Sequence, residues 1–161
     1  MAPSFRDTNA AGRLRHSGAD ITVHNRQRAV KVRISALEDF ARGALREVLK
    51  TPGKKNGALA TLEDLSVILV SDWRMAELHH RFFNLSGPTD VITFQHGEIF
   101  VSTETARRNA RRFGTSLEHE LRLYIAHGLL HLHGFDDKDL RGSARMKRVQ
   151  EKLVASQGAA V

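Results

Sequence analysis

The chain has 161 residues, 41% of them hydrophobic, which is the length of one ordinary domain and enough apolar material for a buried core. It contains no cysteine, so disulfides and thiolate metal sites are excluded, and a transition-metal site has to be built from imidazole and carboxylate. Lys and Arg number 25 against 18 Asp and Glu, and the formal charge of +7 favours a polyanionic partner, RNA ahead of a membrane surface, although basic proteins also bind nucleic acid incidentally. No apolar run approaches membrane-spanning length and no apolar signal stretch opens the chain, so a cytoplasmic protein with no membrane partner is expected.

Residues 1–20 are rich in Ala, Ser, Gly and Arg without an apolar period and read as a flexible tail, and Asp7 and Asp20 argue against an organelle-targeting leader. The folded domain is expected over 21–155, with Ile21 to Val23 and Val30 to Ile34 as short strands around a turn at Asn25. Ser35 followed by Glu38 has the capping-box pattern, and Leu37, Phe40, Ala41, Ala44, Leu45, Val48 and Leu49 keep helical spacing up to Pro52 and Gly53. After a polar turn at Lys54 to Gly57, Leu65 to Val70 reads as a buried strand, and Ser71 or Asp72 caps a helix carrying Met75, Leu78 and Phe82. Asn84 to Pro88 is a turn, and Thr89 to Phe94 and Glu98 to Val101 are strands joined tightly at Gly97. Ser102 opens a helix, another starts near Ser116 and runs to Gly134, and a last one covers Leu140 to Ala155 before a short tail at 156–161. Helices interrupt and outnumber strands. This order predicts an α/β (α+β) fold in which a small mixed sheet of about four strands packs with about five or six helices.

Four of the nine histidines lie between His119 and His133, in the pattern His127-x-x-x-His131-x-x-Gly134-x-x-Asp137. On a helix His127 and His131 stand one turn apart, about 40° around the axis, so two imidazoles can share one ion. Gly134 suits the left-handed position that ends a helix, which would turn Asp137 back as a third ligand. Three protein ligands leave a coordination position open, as in catalytic zinc sites; one Zn2+ per chain, or another divalent ion, is the expected cofactor. The stripe runs between apolar flanks, Leu117, Leu121, Ile125, Leu129 and Leu132 on one side and Leu123, Ala126 and Leu130 on the other, where unsatisfied polar groups would be costly. Glu120, two turns below His127, is expected to accept from an imidazole N–H. His133 projects about 160° from His131 and, like His119, falls off the stripe. The spacing also matches the long zinc-protease pattern, but the glutamate that chemistry needs after the first histidine is Gly128 here, which argues against a peptidase and suggests room for a bulkier substrate.

The run His127-Gly-Leu-Leu-His131-Leu-His-Gly134-Phe-Asp136-Asp137 resembles the signature of the YbeY family of bacterial metal-dependent endoribonucleases. Pro88-Thr89-Asp90-Val91-Ile92-Thr93-Phe94 is similar to that family's Pro-Thr-Asp-Val-Leu-Ser-Phe strand, and a Gly-Glu-Ile strand follows at Gly97 to Ile99. The resemblance spans about Ile21 to Leu153. It implies a single-strand-specific endoribonuclease of rRNA maturation, at the 16S rRNA 3′ end, and of ribosome quality control, with RNA and a ribosomal subunit as partners and a metal-activated water attacking the phosphodiester.

Two positions depart from the pattern: Asp137 stands for the usual third histidine, and Phe83 for an arginine ahead of the Pro-Thr motif, with Arg81 close by. No catalytic residue beyond the metal ligands is assigned. Arg107, Arg108, Arg111 and Arg112 lie opposite Ala106, Ala110 and Phe113 on one helix, a cationic stripe for phosphates or a solvated face. The competing functions are a non-catalytic ribosome-associated RNA-binding assembly factor with a structural metal, and a hydrolase of proteins or small molecules.

Overall fold

The computed structural model describes residues 19–54 and 57–158. Their order is β1 (Asp20–Asn25), α1 (Ile34–Lys50), a 3-10 turn at Leu59–Thr61, β2 (Asp64–Val70), α2 (Asp72–Phe83), β3 (Val91–Phe94), β4 (Glu98–Ser102), α3 (Thr103–Phe113), α4 (Leu117–Leu132) and α5 (Leu140–Gly158). The four strands form one mixed sheet in the order β1-β2-β4-β3. β1, β2 and β4 run parallel, with Ile21 beside Leu65 and Val67 beside Ile99, while β3 lies antiparallel on β4, with Ile92 beside Phe100. This is the small mixed sheet with five helices that the alternation of elements predicts. Parallel neighbours need a crossover, and α1 supplies it between β1 and β2.

Because β1 pairs with β2, no hairpin forms at Asn25, and Val30 to Ile34 is not a strand. The Gln27 side chain takes the place of a partner strand: the Val30 N–H donates to its Oε1 at 2.9 Å and the Val30 carbonyl accepts from its Nε2 at 2.8 Å. The expected capping box at Ser35 and Glu38 does not form either. α1 starts at Ile34 after Arg33, which makes no side-chain cap, and Glu38 instead accepts from the Val23 N–H at 3.0 Å and from Arg42. A tertiary donor has outcompeted the local one. Of the predicted N-terminal tail all but Ala19 and Asp20 lies outside the described residues; Ala19 packs on the core and Asp20 opens β1. α5 continues to Gly158, past Ala155.

Alternation along the strands sends side chains to two unlike faces. Ile21, Val23, Leu65, Val67, Leu69, Ile99 and Val101 join the apolar sides of α1, α4 and α5 in the main core. On the opposite face Val70, Met75, Leu78 and Ile92 make a second, small cluster with Ile68, Phe94 and Phe100 around it, covered by α2. Phe82, expected on the packed side of α2, is 54% exposed.

The N-termini of α2 and α3 are tied to each other. Asp72 accepts from Ser102 Oγ at 2.6 Å, from Thr105 Oγ1 at 2.7 Å and from Arg108, while Glu104 accepts from the Asp72 N–H. Burial works against the Asp72 charge, but these donors outweigh it and hold the carboxyl below its ordinary value.

Candidate metal centre

α4 is capped by Ser116, whose Oγ accepts from the His119 N–H, and it is the most enclosed of the described helices, burying Leu121, Ile125, Leu129 and Leu132 on one side and Ala126 and Leu130 on another. Gly128 is buried as well. A methyl group there would sit 2.7 Å from Cγ2 of Ile99, so the glycine lets α4 lie close on β4 and opens no room for substrate. The expectation of a roomier site at this position is therefore wrong, because glycine serves close backbone approach as readily as open space.

The helix ends where the sequence says it should. Gly134 adopts φ +93°, and a Cβ there would meet Cβ of Lys54 at 2.7 Å, so the reversal requires glycine. The connection after α1 straps this end down: Lys54 N donates to the His133 carbonyl, Ala58 N to that of Leu132, and His133 Nε2 to that of Thr51 at 2.8 Å. His133 is thus a buried structural histidine, as its angle on the helix predicts. Phe135, beyond the turn, is buried with Lys54 and Arg145 over its ring.

The turn brings His127, His131 and Asp137 together, with one donor atom from each inside a group no wider than 4.8 Å. Nε2 of His127 and Nε2 of His131 stand 2.9 Å apart, and the two Asp137 oxygens lie 3.7 Å from one nitrogen each. The far nitrogens are engaged elsewhere. His131 Nδ1 donates to the Phe135 carbonyl at 3.1 Å, and His127 Nδ1 to Gln150 Oε1 of α5 at 2.9 Å. With both Nδ1 atoms donating to these acceptors, the two Nε2 atoms face each other beside the Asp137 carboxylate. Such a cluster is satisfied by a cation shared among the three groups, so the residues fit a divalent ion.

Burial and the neighbouring His127 push His131 below the ordinary histidine range, against the opposing pull of Asp137. Its ring is therefore neutral at pH 7 and its contact with Asp137 is not an ion pair. Asp137 is the most exposed of the three, its side chain 45% accessible against 24% and 27% for the histidines.

Glu120 does not take the role predicted for it; it is buried and accepts from Thr115 Oγ1 at 2.6 Å, and Gln150 serves His127 instead. Seven residues of helix put Glu120 about 10 Å along the axis from His127.

A cleft of about 290 Å³ opens at the two histidines. Its walls are His79 and Phe83 of α2, Leu85 and Thr89 of the following turn, and β3 with Gln95. The His79 ring is anchored by Nδ1, 2.9 Å from the Gly87 carbonyl. Arg81 does not line this cleft and stacks over Phe82. A more open depression beyond Asp137, lined by Lys138, Asp139, Leu140, Arg141 and Ser143, contains neither histidine. Of the α3 arginines, Arg108 is held by Asp72 and Arg112 lies over Phe113, while Arg111 is exposed.

A family model described as Endoribonuclease YbeY matches residues 22–158. A Frankia alni protein described as Endoribonuclease YbeY is 32% identical over 151 residues, covering 81% of this chain and 77% of its own. Another of that description from Heliobacterium modesticaldum is 33% identical over 120 residues, covering 60% and 72%. The solution structure of TM1509 from Thermotoga maritima superposes with a TM-score of 0.59 at 30% identity, covering 85% of this chain and 88% of its own.

Proposed function

The chain belongs to the endoribonuclease YbeY family, and from that premise we propose that it is a metal-dependent endoribonuclease in which His127, His131 and Asp137 hold zinc, acting on single-stranded RNA during rRNA maturation, in contact with a ribosomal subunit in the cytoplasm. The observation that carries the reading is the pair of Nε2 atoms 2.9 Å apart, facing each other beside Asp137 at the end of an open cleft. Three protein donors, where a structural site would use four, leave a position for the reacting groups. A divalent ion held by His127, His131 and Asp137 would supply Lewis-acid charge and activate water for phosphodiester hydrolysis.

The chain's own residues do the positioning. Gln150 and the Phe135 carbonyl hold the two rings in the tautomer that presents Nε2, and the hydrogen bonds of Thr51, Lys54 and Ala58 keep the end of α4 in place. Gly128 removes the carboxylate that a peptidase would use, so nothing at that position favours amide hydrolysis. The basic face of α3, with Arg111 exposed, draws the phosphate backbone toward the domain in a salt-dependent way. A non-catalytic assembly factor is not favoured, since the relatives matched over most of the chain are described as endoribonucleases.

Metal-free protein and His127→Ala are expected to lose cleavage of single-stranded RNA with the far-ultraviolet circular dichroism unchanged. Full activity in either rejects the reading.

A further inference from the structure

Phe82, Phe83 and Leu85 are three large apolar side chains, each about half exposed, that stand in a run of four residues beside the metal centre. An apolar patch of this kind at the wall of a polar site calls for an occupant. Phe83 and Leu85 line the cleft, and Phe83 is the aromatic one of the two. Its ring has aromatic neighbours: Phe94 lies nearly parallel to it at 6.5 Å with an interplanar angle of 28°, and His79, another wall residue, is tilted toward it at 6.2 Å. Phe94 is in turn stacked on His96 at 5.7 Å. The platform is assembled before anything binds, so little side-chain freedom is lost on binding. The rest of the wall mixes apolar groups with the hydroxyls of Thr89 and Thr93 and the amide of Gln95. A flat heterocycle with polar edges matches such a lining, and unpaired bases are taken up by stacking on aromatic faces while their edges find hydrogen bonds.

We propose that this cleft holds one unpaired nucleobase of the RNA strand stacked on Phe83, which makes Phe83 a binding residue for the nucleotide next to the cut. The inference rests on the endoribonuclease reading, because continuity of the cleft with His127 and His131 is what makes RNA the occupant. The base is seated by Phe83 while the backbone beside it reaches the metal ligands.

The test uses full-length, zinc-loaded protein and a fluorescein-labelled single-stranded oligoribonucleotide in which one abasic ribonucleotide is walked along the strand. Stopped-flow anisotropy gives Kd before turnover and gel analysis gives cleavage. At one register the abasic nucleotide should weaken wild-type binding about 5- to 150-fold, the range that loss of one base stack produces. Phe83→Ala should weaken intact RNA by a similar factor and abolish the abasic penalty, and Phe83→Trp should keep both. Trp73→Ala, a change at an exposed aromatic of α2 that does not line the cleft, should behave as wild type.

Absence of a penalty at every register overturns the proposal, as does a penalty that survives undiminished in Phe83→Ala. A Phe83-dependent penalty in RNA that is never cut supports the base site and sinks the endoribonuclease reading. Cleavage with no such penalty does the reverse.

Discussion

The two faces of the sheet are built for different work. One is covered by α1, α4 and α5 over a continuous core, and it carries both histidines on the most buried helix of the molecule. The other is covered by α2 over four buried residues, and it leaves Phe82 and Phe83 half exposed. The candidate metal centre lies where they meet, between α4 and the edge strand β3. Rigidity lies at the candidate ligands, and accessible aromatic surface on the side where the proposed RNA strand would enter and leave.

Changes on the heavily covered side should therefore move metal affinity or stability, and changes on the thin side RNA affinity with little effect on folding. The largest effect is expected from His131→Ala, which removes one of two facing Nε2 donors and should take RNA cleavage below detection while thermal unfolding shifts little. Gln150→Ala should lower metal affinity about 10- to 100-fold by releasing the His127 ring, as read by competition with a chelator. Cleavage should recover at high metal concentration, which separates Gln150 from the ligands. Gly128→Ala drives a methyl group into Ile99 and should cost about 1–3 kcal/mol in urea unfolding, the usual penalty of overpacking a closed core. An unchanged midpoint would show that α4 and β4 can part easily, against the contrast drawn between the faces.

On the exposed face of α3, Arg111→Ala should reduce the slope of log K against log salt for single-stranded RNA by about 0.7 and leave stability alone. The smallest effect concerns Asp72. Its carboxyl is held below the ordinary 3.8, so the stability it lends is present above that value and is lost as pH falls through the lower folded-state value. Arg108 is more than half exposed and solvent screens the pair, so the contribution should stay below about 1 kcal/mol. Asp72→Asn should lower stability at pH 7 by no more than that amount and flatten this part of the acid dependence, so that its difference from wild type vanishes once the Asp72 carboxyl is protonated.

Much of this was legible in the chain. The apolar run Leu65 to Val70, the caps at Ser71, Ser102 and Ser116 and the stop at Gly134 are local signals, and the structure honours them. The approach of His127 and His131 follows from helical spacing. What could not be read depends on partners far along the chain. Val30 to Ile34 has the alternation of a strand, yet β1 pairs elsewhere and Gln27 takes the backbone groups of Val30. Glu38 is drawn from the cap by Val23, fifteen positions away. Gln150 is separated from His127 by 23 positions and sits in a basic helix with nothing to distinguish it. Gly128 shows how one residue type serves opposite ends, since only the position of Ile99 tells close packing from open space.

The most direct measurement is zinc content by elemental analysis, paired with RNA cleavage, for wild type, Asp137→Ala and the double change His127→Ala with His131→Ala. Wild type should hold about one ion per chain and cut single-stranded RNA, Asp137→Ala should bind the ion more weakly and fail to cut, and the double variant should hold none. A double variant that retains a full complement of zinc and cuts RNA as wild type does would contradict the assignment of the centre to these residues.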